Sequence, residues 1–304
     1  MLLQLRYLVR QLLKAPGFTM TAIVILGFSI GLSTAIFSLT EAVVLKPLPF
    51  PRSERLVEVC QPHQHHPFSV FDYPDYVDMA VAQHTFDSLA LAVQRAVDLR
   101  TNGEAQLLEA DFATPSLFRV TGLPVLLGRV FTDKEDIPGG PQVAVVSERC
   151  WRSRFQSDPQ IIGKNIVLSG LSFQVIGILP PQLDDWGPPG LDIYLPIHTL
   201  AAFHFLENDV FTDRGGGHYF TCFARLKTGA SVSQGEADLR TIQDNLLIHY
   251  PSVNQGRSLK VFPLLSFIVN DYSTTMRPWR ITFSRAKTRL VNRSALLTRG
   301  TRSA

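Results

Sequence analysis

The stretch from Ala15 to Thr40 constrains this chain more than any other. Its 26 residues include no Asp, Glu, Lys, Arg or His. A membrane-spanning helix needs about 20 mostly apolar residues to cross a hydrocarbon core of about 30 Å. A buried helix of this length would normally show a polar face, and this run has none. It therefore reads as a transmembrane helix over 18–45. Arg6, Arg10 and Lys14 precede it, no acid occurs among the first forty residues, and Glu41 and Lys46 follow. That excess of cations predicts a cytoplasmic N-terminus, with the chain after Leu45 delivered to the far side. A cleaved signal peptide is the competing reading, but its apolar region usually runs about 7–15 residues and ends at a small-x-small site. Ser33-Thr34-Ala35 mimics such a site, yet apolar sequence continues beyond it.

Residues 1–17 alternate leucines with Arg6, Arg10, Gln11 and Lys14, the pattern of an amphipathic helix lying on the cytoplasmic membrane surface. A simple extension of the transmembrane helix is the other reading, and Pro16-Gly17 favours a bend. Within the span, Gly27, Gly31 and Ala35 recur every four residues. Small residues at that spacing let a second helix approach closely in lipid, so this face is the candidate helix-packing site.

The net charge of +3 conceals an asymmetry. Three cations lie in the first fourteen residues and eight lie after Asp271, which leaves the segment between at −8. An acidic middle argues against nucleic acid as its partner. Cys60, Cys150 and Cys222 form no CxxC pair. One disulfide would be open to them in an oxidising compartment, and the sequence does not say which two would pair.

After a stiff linker with Pro47, Pro49 and Pro51, strands and helices mix. Leu56–Val59 reads as a strand and Phe71–Ala82 as a helix with Pro74 in its first turn. Phe86–Leu99 alternates as a strand, Asn102-Gly103 is a hairpin turn, and Ala105–Ala110 is the returning strand. Thr114 is expected to cap a short helix with Pro115 at its first position. Short strands follow at Val143–Ser147, Ile166–Leu168, Phe173–Leu179 and Asp192–Pro196, with a helix over Glu148–Phe155. A strand at Tyr219–Leu226, an amphipathic helix at Ser231–Tyr250 and a strand at Leu259–Leu264 close the pattern. The expected fold is α+β, with one N-terminal transmembrane helix followed by a two-lobed extracytoplasmic domain of mixed strands and helices.

Several words carry a family resemblance. They are Leu12-Leu-Lys-Ala-Pro-Gly-Phe-Thr19, Gly31-Leu-Ser-Thr-Ala-Ile-Phe37, Leu45-Lys-Pro-Leu-Pro-Phe-Pro51, Leu127-Gly-Arg129, Val145-Val-Ser147, Trp151…Phe155, Asp158-Pro159, Ile162-Gly163, Val175-Ile-Gly177 and Arg225-Leu-Lys-Thr-Gly229. In this order they resemble the MacB-type, FtsX-like permeases of ABC transporters, from about Leu3 to Leu264. The resemblance implies a two-lobed periplasmic core domain over 46–265, with a β-rich lobe inserted near 128–215. It also implies a non-catalytic permease subunit with no cofactor, driven by a separate cytoplasmic ABC ATPase. Its further partners would be the membrane, a second copy or second permease, and a periplasmic protein or substrate. No phosphate loop GxxxxGK[ST] and no GxSxG nucleophile motif occurs, which agrees with a subunit lacking catalysis. Such permeases carry three further spans after this domain. Residues 266–304 instead form a basic tail without an apolar stretch of about 18 residues. The chain is accordingly expected to be a truncated or out-of-frame permease. The alternative is a single-span sensor or scaffold in the bacterial inner membrane, its main domain periplasmic.

Cys60, His63, His65 and His66 form the one metal-like cluster. Thiolate and imidazole suit Zn²⁺ or Cu⁺, but the spacing is irregular and a solvated loop is the plainer reading. Asp72, Asp75 and Asp78 share one helical face and read as a solvated helix start. Trp151 and Phe155, one turn apart, read as core.

Overall fold

The computed structural model describes residues 16–40, 48–61, 71–101, 104–183, 190–205, 210–215 and 220–266. The chain divides into two compact units, 1–47 and 48–304. In the first, helix α1 covers Pro16–Thr40. The hydroxyls of Thr21 and Thr34 donate to the carbonyls of Gly17 and Ile30, four residues back, at 2.9 and 2.8 Å. Both polar atoms are thereby satisfied within the helix. Ile23, Val24, Phe28 and Ile30 are each more than 60% exposed. Among the described residues no helix is long and apolar enough to cross a membrane. The side chains of 35–40, Ala35 among them, lie outside the described set. The basic segment before residue 16, the Asn102-Gly103 turn and the tail after residue 266 also lie outside it.

The second unit is organised by one long strand. After β1 (Leu56–Cys60) and helix α2 (Tyr73–Ala82), β2 runs Phe86–Thr101. Then come β3 (Glu104–Ala113), α3 (Ser116–Thr121), β4 (Leu127–Gly128), β5 (Val143–Val146) and α4 (Glu148–Phe155). The chain continues through β6 (Asn165–Leu168), β7 (Leu171–Ile178), β8 (Leu191–Pro196) and β9 (Thr221–Leu226). It closes with α5 (Val232–His249), α6 (Pro251–Asn254) and β10 (Lys260–Pro263).

β2 belongs to two sheet regions. Its first half pairs with β9 from Phe86 to Ala92, next to β1 and β10, in an antiparallel array. Its second half pairs with β3 from Ala92 to Thr101. From β3 the pairing passes to β8, β5 and β7. β6 then bonds both to β7 and back to β2, where Leu99 faces Leu168 and Arg100 faces Val167. The circuit β2-β3-β8-β5-β7-β6 is closed, which removes the free edges that these strands would otherwise expose.

Alternation along β2 divides the core between its faces. Leu89, Leu91 and Val93 join one cluster with Val57, Val59, Leu239, Ile242 and Leu246. Ala90 and Ala92 join the other with Leu117, Val120, Phe131 and Tyr194. The three- and four-residue spacing of Leu239, Ile242 and Leu246 lays one face of α5 on the sheet. Ser231 and Gln234 close its N-terminus as a reciprocal capping box.

Two sequence words meet at β4 and β7. Gly128 is the register partner of Gly177. A Cβ on Gly177 would stand 2.1 Å from the Arg129 carbonyl oxygen, and one on Gly128 would stand 2.3 Å from that of Ile176. Only glycines allow this approach.

Two expectations are corrected. The helix after β3 begins at Ser116 with Pro115 at its N-cap, and Thr114 does not cap it. The Thr114 hydroxyl instead accepts from the Leu91 N–H at 3.0 Å, so it ties α3 to β2. The carboxylates at the start of α2 are not solvated: Asp72 and Asp75 are 1% and 2% exposed. Cys60, Cys150 and Cys222 are all buried. Trp151 and Phe155 are partly buried against the first core cluster.

Candidate functional site

A cleft of about 330 Å³ opens where α2, the start of β2, α3 and the 131–136 loop converge. Its lining includes Tyr73, Tyr76, Ser88, Ser116, Asp133 and Asp136. The α2 residues Tyr73 and Tyr76, three apart, lie on one face of the helix. A register shift between Phe86 and Ser88 locally breaks the β2 ladder beside it.

One hydrogen-bonded chain crosses the cleft wall. Asp136 accepts from the His198 backbone N–H at 3.0 Å and faces its Nδ1 at 3.1 Å. A carboxylate only accepts, so the imidazole proton sits on Nδ1. Nε2 is then the acceptor for the Tyr73 hydroxyl at 3.4 Å. Burial first, then the nearby Asp136 and Tyr76, push the Tyr73 phenol up to about 12, so it keeps its proton at neutral pH. His198 also stacks on Phe211, with ring centroids 4.7 Å apart.

A second chain lies deeper. The Tyr76 hydroxyl donates to the Leu89 carbonyl at 3.1 Å and lies 3.4 Å from Ser116 Oγ. Ser116 and Thr114 share a 2.8 Å contact. Ser88, 8% exposed, has a buried hydroxyl without a hydrogen-bond partner.

Two ionic features hold the surrounding elements. Arg257 reaches Asp72 at 3.1 Å and Asp75 at 3.4 Å. Arg214 pairs with Asp75 and, at 2.7 Å, with Asp78, and it lies 4.0 Å over the Tyr250 ring. The Gly215 N–H donates to Asp72 at 3.0 Å. Burial, outweighing both arginines, holds the Asp75 carboxyl above its usual range. The 6%-exposed Arg225 donates to four carbonyls: Val120 and Thr121 at the end of α3, and Pro51 and Arg52 in the entering linker. Its burial depresses the guanidinium's proton affinity.

The cleft lining contains none of the sequence-derived candidates. Gly27 and Gly31 sit on α1 with open space where a Cβ would point. Cys60 is buried at the end of β1 with its Sγ 3.7 Å from Glu58. His63, His65 and His66 lie outside the described residues. Among the described residues no group of three or more His, Cys, Asp or Glu is placed to hold a metal ion. His198 and Asp136 carry no motif and are 62 residues apart, so only the fold brings them together.

Residues 19–242 match the MacB-like periplasmic core domain, and the chain belongs to that family of ABC-transporter permeases. A relative is the macrolide export ATP-binding/permease protein MacB of Hahella chejuensis, 28% identical over 127 residues. That match covers 41% of this chain and 19% of the relative's length. The periplasmic region of MacB from Actinobacillus actinomycetemcomitans shares the fold at TM-score 0.52 and 15% identity, over 73% of this chain and 94% of that one. A permease domain from Porphyromonas gingivalis does so at TM-score 0.51 and 14% identity, over 70% and 91%.

Proposed function

We propose that this chain is a non-catalytic, membrane-anchored permease subunit of a MacB-type ABC export or mechanotransmission system. Its N-terminus is cytoplasmic, and its main domain, over 46–265, is periplasmic and couples to a protein partner or substrate. A separate cytoplasmic ABC ATPase supplies the energy. The observation that carries this reading is the extent of the family match, which begins at residue 19, inside α1, and continues to 242. The support for the span comes from the sequence: the uncharged run Ala15–Thr40 would rise about 39 Å as a helix, against a hydrocarbon core of about 30 Å. Gly27, Gly31 and Ala35 form the face on which a second helix packs, in a homodimer or with a second permease.

The closed β-rich circuit, with 128–215 as its inserted part, is one lobe in this reading, and the β10-β1-β9-β2 array with α2 and α5 is the other. Arg225 suits force transmission, because it ties the linker at Pro51 and Arg52 to α3. The test is isolation of the tagged full chain from bacterial membranes in mild detergent. Stoichiometric recovery of an ABC ATPase supports the reading. Recovery of the chain alone, under conditions that preserve a known permease–ATPase pair, overturns it. The polar cleft favours a second reading, a single-span sensor or scaffold whose domain binds a ligand.

A further inference from the structure

Arg52 stands in the left-handed region, with φ 52° and ψ 51°. That conformation is disfavoured for any residue with a Cβ, and arginine lacks the short polar side chain by which Asn or Asp settles there. Arg52 closes a turn in which the Arg55 N–H donates to its carbonyl at 3.0 Å. The turn lies between two fixed points, because Phe50 and Leu56 are both buried in the second core cluster.

Arg225 supplies the restraint that the turn itself does not. Its guanidinium has two arms. Nε and Nη2 donate to Val120 and Thr121 at 2.7 and 3.1 Å, and Nη1 donates to Pro51 and Arg52 at 2.9 and 3.3 Å. All four acceptors are neutral carbonyls. The arms differ in what release costs. Pro51 and Arg52 are exposed, so their carbonyls find water when Nη1 lets go. Val120 and Thr121 are buried at the end of α3, so their carbonyls would be left unpaired. The bonds to the linker are therefore the ones that open, while α3 keeps the guanidinium.

We infer that Arg225 is a latch that holds the Pro51-Arg52 turn in its strained form, and that opening the latch lengthens the linker. Opening exchanges two hydrogen bonds for water and relieves one left-handed residue, effects of similar size and opposite sign. The closed turn spans about 7 Å at most between its end Cα atoms, whereas three extended residues span about 10 Å, so the latch holds back about 3 Å of linker. Its use rests on the membrane-anchored reading above, in which this linker joins the span to the domain.

A double-mutant cycle on the purified full chain in detergent tests the latch, with chemical denaturation as one readout. Arg52→Gly removes the left-handed penalty and should raise the folding equilibrium constant about fivefold. In Arg225→Lys, whose single ammonium cannot hold the linker and α3 together, the turn has already relaxed. Arg52→Gly should then bring no gain. Amide hydrogen exchange is the second readout. The Arg55 amide should exchange about tenfold faster in Arg225→Lys than in the parent. The Lys227 amide, bonded to the Thr85 carbonyl at 3.0 Å, should keep its rate. No Arg52→Gly gain in the parent, an equal gain in both backgrounds, or an unchanged Arg55 rate overturns the inference. Neither readout involves an ATPase, so failure here leaves the coupling reading standing, and failure of that reading leaves the latch.

Discussion

Asp111 sets a specific pH dependence on the stability of this domain. It lies in β3 opposite Tyr194 of β8, 3% exposed, and its Oδ1 is buried without a hydrogen-bond partner. Burial alone pushes its carboxyl up to about 7, against 3.8 for a free side chain. The folded state therefore holds a proton that the unfolded chain releases near pH 4. Below that pH both states are protonated and the group carries no penalty. Between about 4 and 7 the unfolded chain ionises first and stability falls. Above about 7 the folded carboxylate is also charged and the loss is complete, at about 4 kcal/mol from 1.36 kcal/mol per tenfold change in proton affinity. Asp111→Asn cannot ionise and escapes this loss. The stability of the variant relative to the parent should rise by about 4 kcal/mol between pH 4 and 8, on top of a constant offset from the amide. For a domain of this size that is a relative shift in melting temperature of about 8–16 °C. Thermal melts of both proteins followed by circular dichroism at half-unit pH steps would measure it. A difference that stays flat from pH 4 to 8 would refute the assignment of a raised affinity to Asp111.

Four further substitutions probe other parts of the account. Arg225→Met removes four donated hydrogen bonds and leaves buried carbonyls unpaired, so chemical denaturation should show a loss of about 3 kcal/mol. Gly177→Ala forces a methyl against the Arg129 carbonyl and should cost about 1–3 kcal/mol by the same assay. Gly163→Ala meets no neighbouring atom within 4 Å and should cost about 1–2 kcal/mol, from its positive φ alone. Gly31→Leu should lower self-association in a membrane two-hybrid reporter, and unchanged signal would remove Gly31 from the packing face.

Local chemistry was the legible part of this sequence. Alternation marked β2, amphipathic periodicity from Ser231 marked α5, and Pro74 fitted the first turn of α2, because each depends on neighbours within a few residues. Closure of the β circuit was not legible. It rests on Leu99 meeting Leu168 and Arg100 meeting Val167, contacts that no periodicity announces. The aspartates of α2 were misread for the same reason. Their spacing put them on one face, but whether that face is wet depends on Arg214 and Arg257, more than 130 residues further along. Thr114 had the residue type of a cap, and the proximity of Leu91 redirected its hydroxyl to the sheet. His198 offered no motif at all. The signal that was present and unused was Tyr73 and Tyr76 at three-residue spacing on the same helix as the aspartates.

The central claim is a permease whose large domain lies across the membrane from its N-terminus, and the buried thiols allow it to be tested directly. Cys60, Cys150 and Cys222 are each 1% exposed or less, so a single cysteine introduced at the exposed position Gln160 stands on a silent background. Spheroplasts expressing Gln160→Cys would be treated with a membrane-impermeant maleimide before and after permeabilisation. The account predicts full labelling in intact spheroplasts. Labelling only after permeabilisation would place the domain on the cytoplasmic side and contradict it.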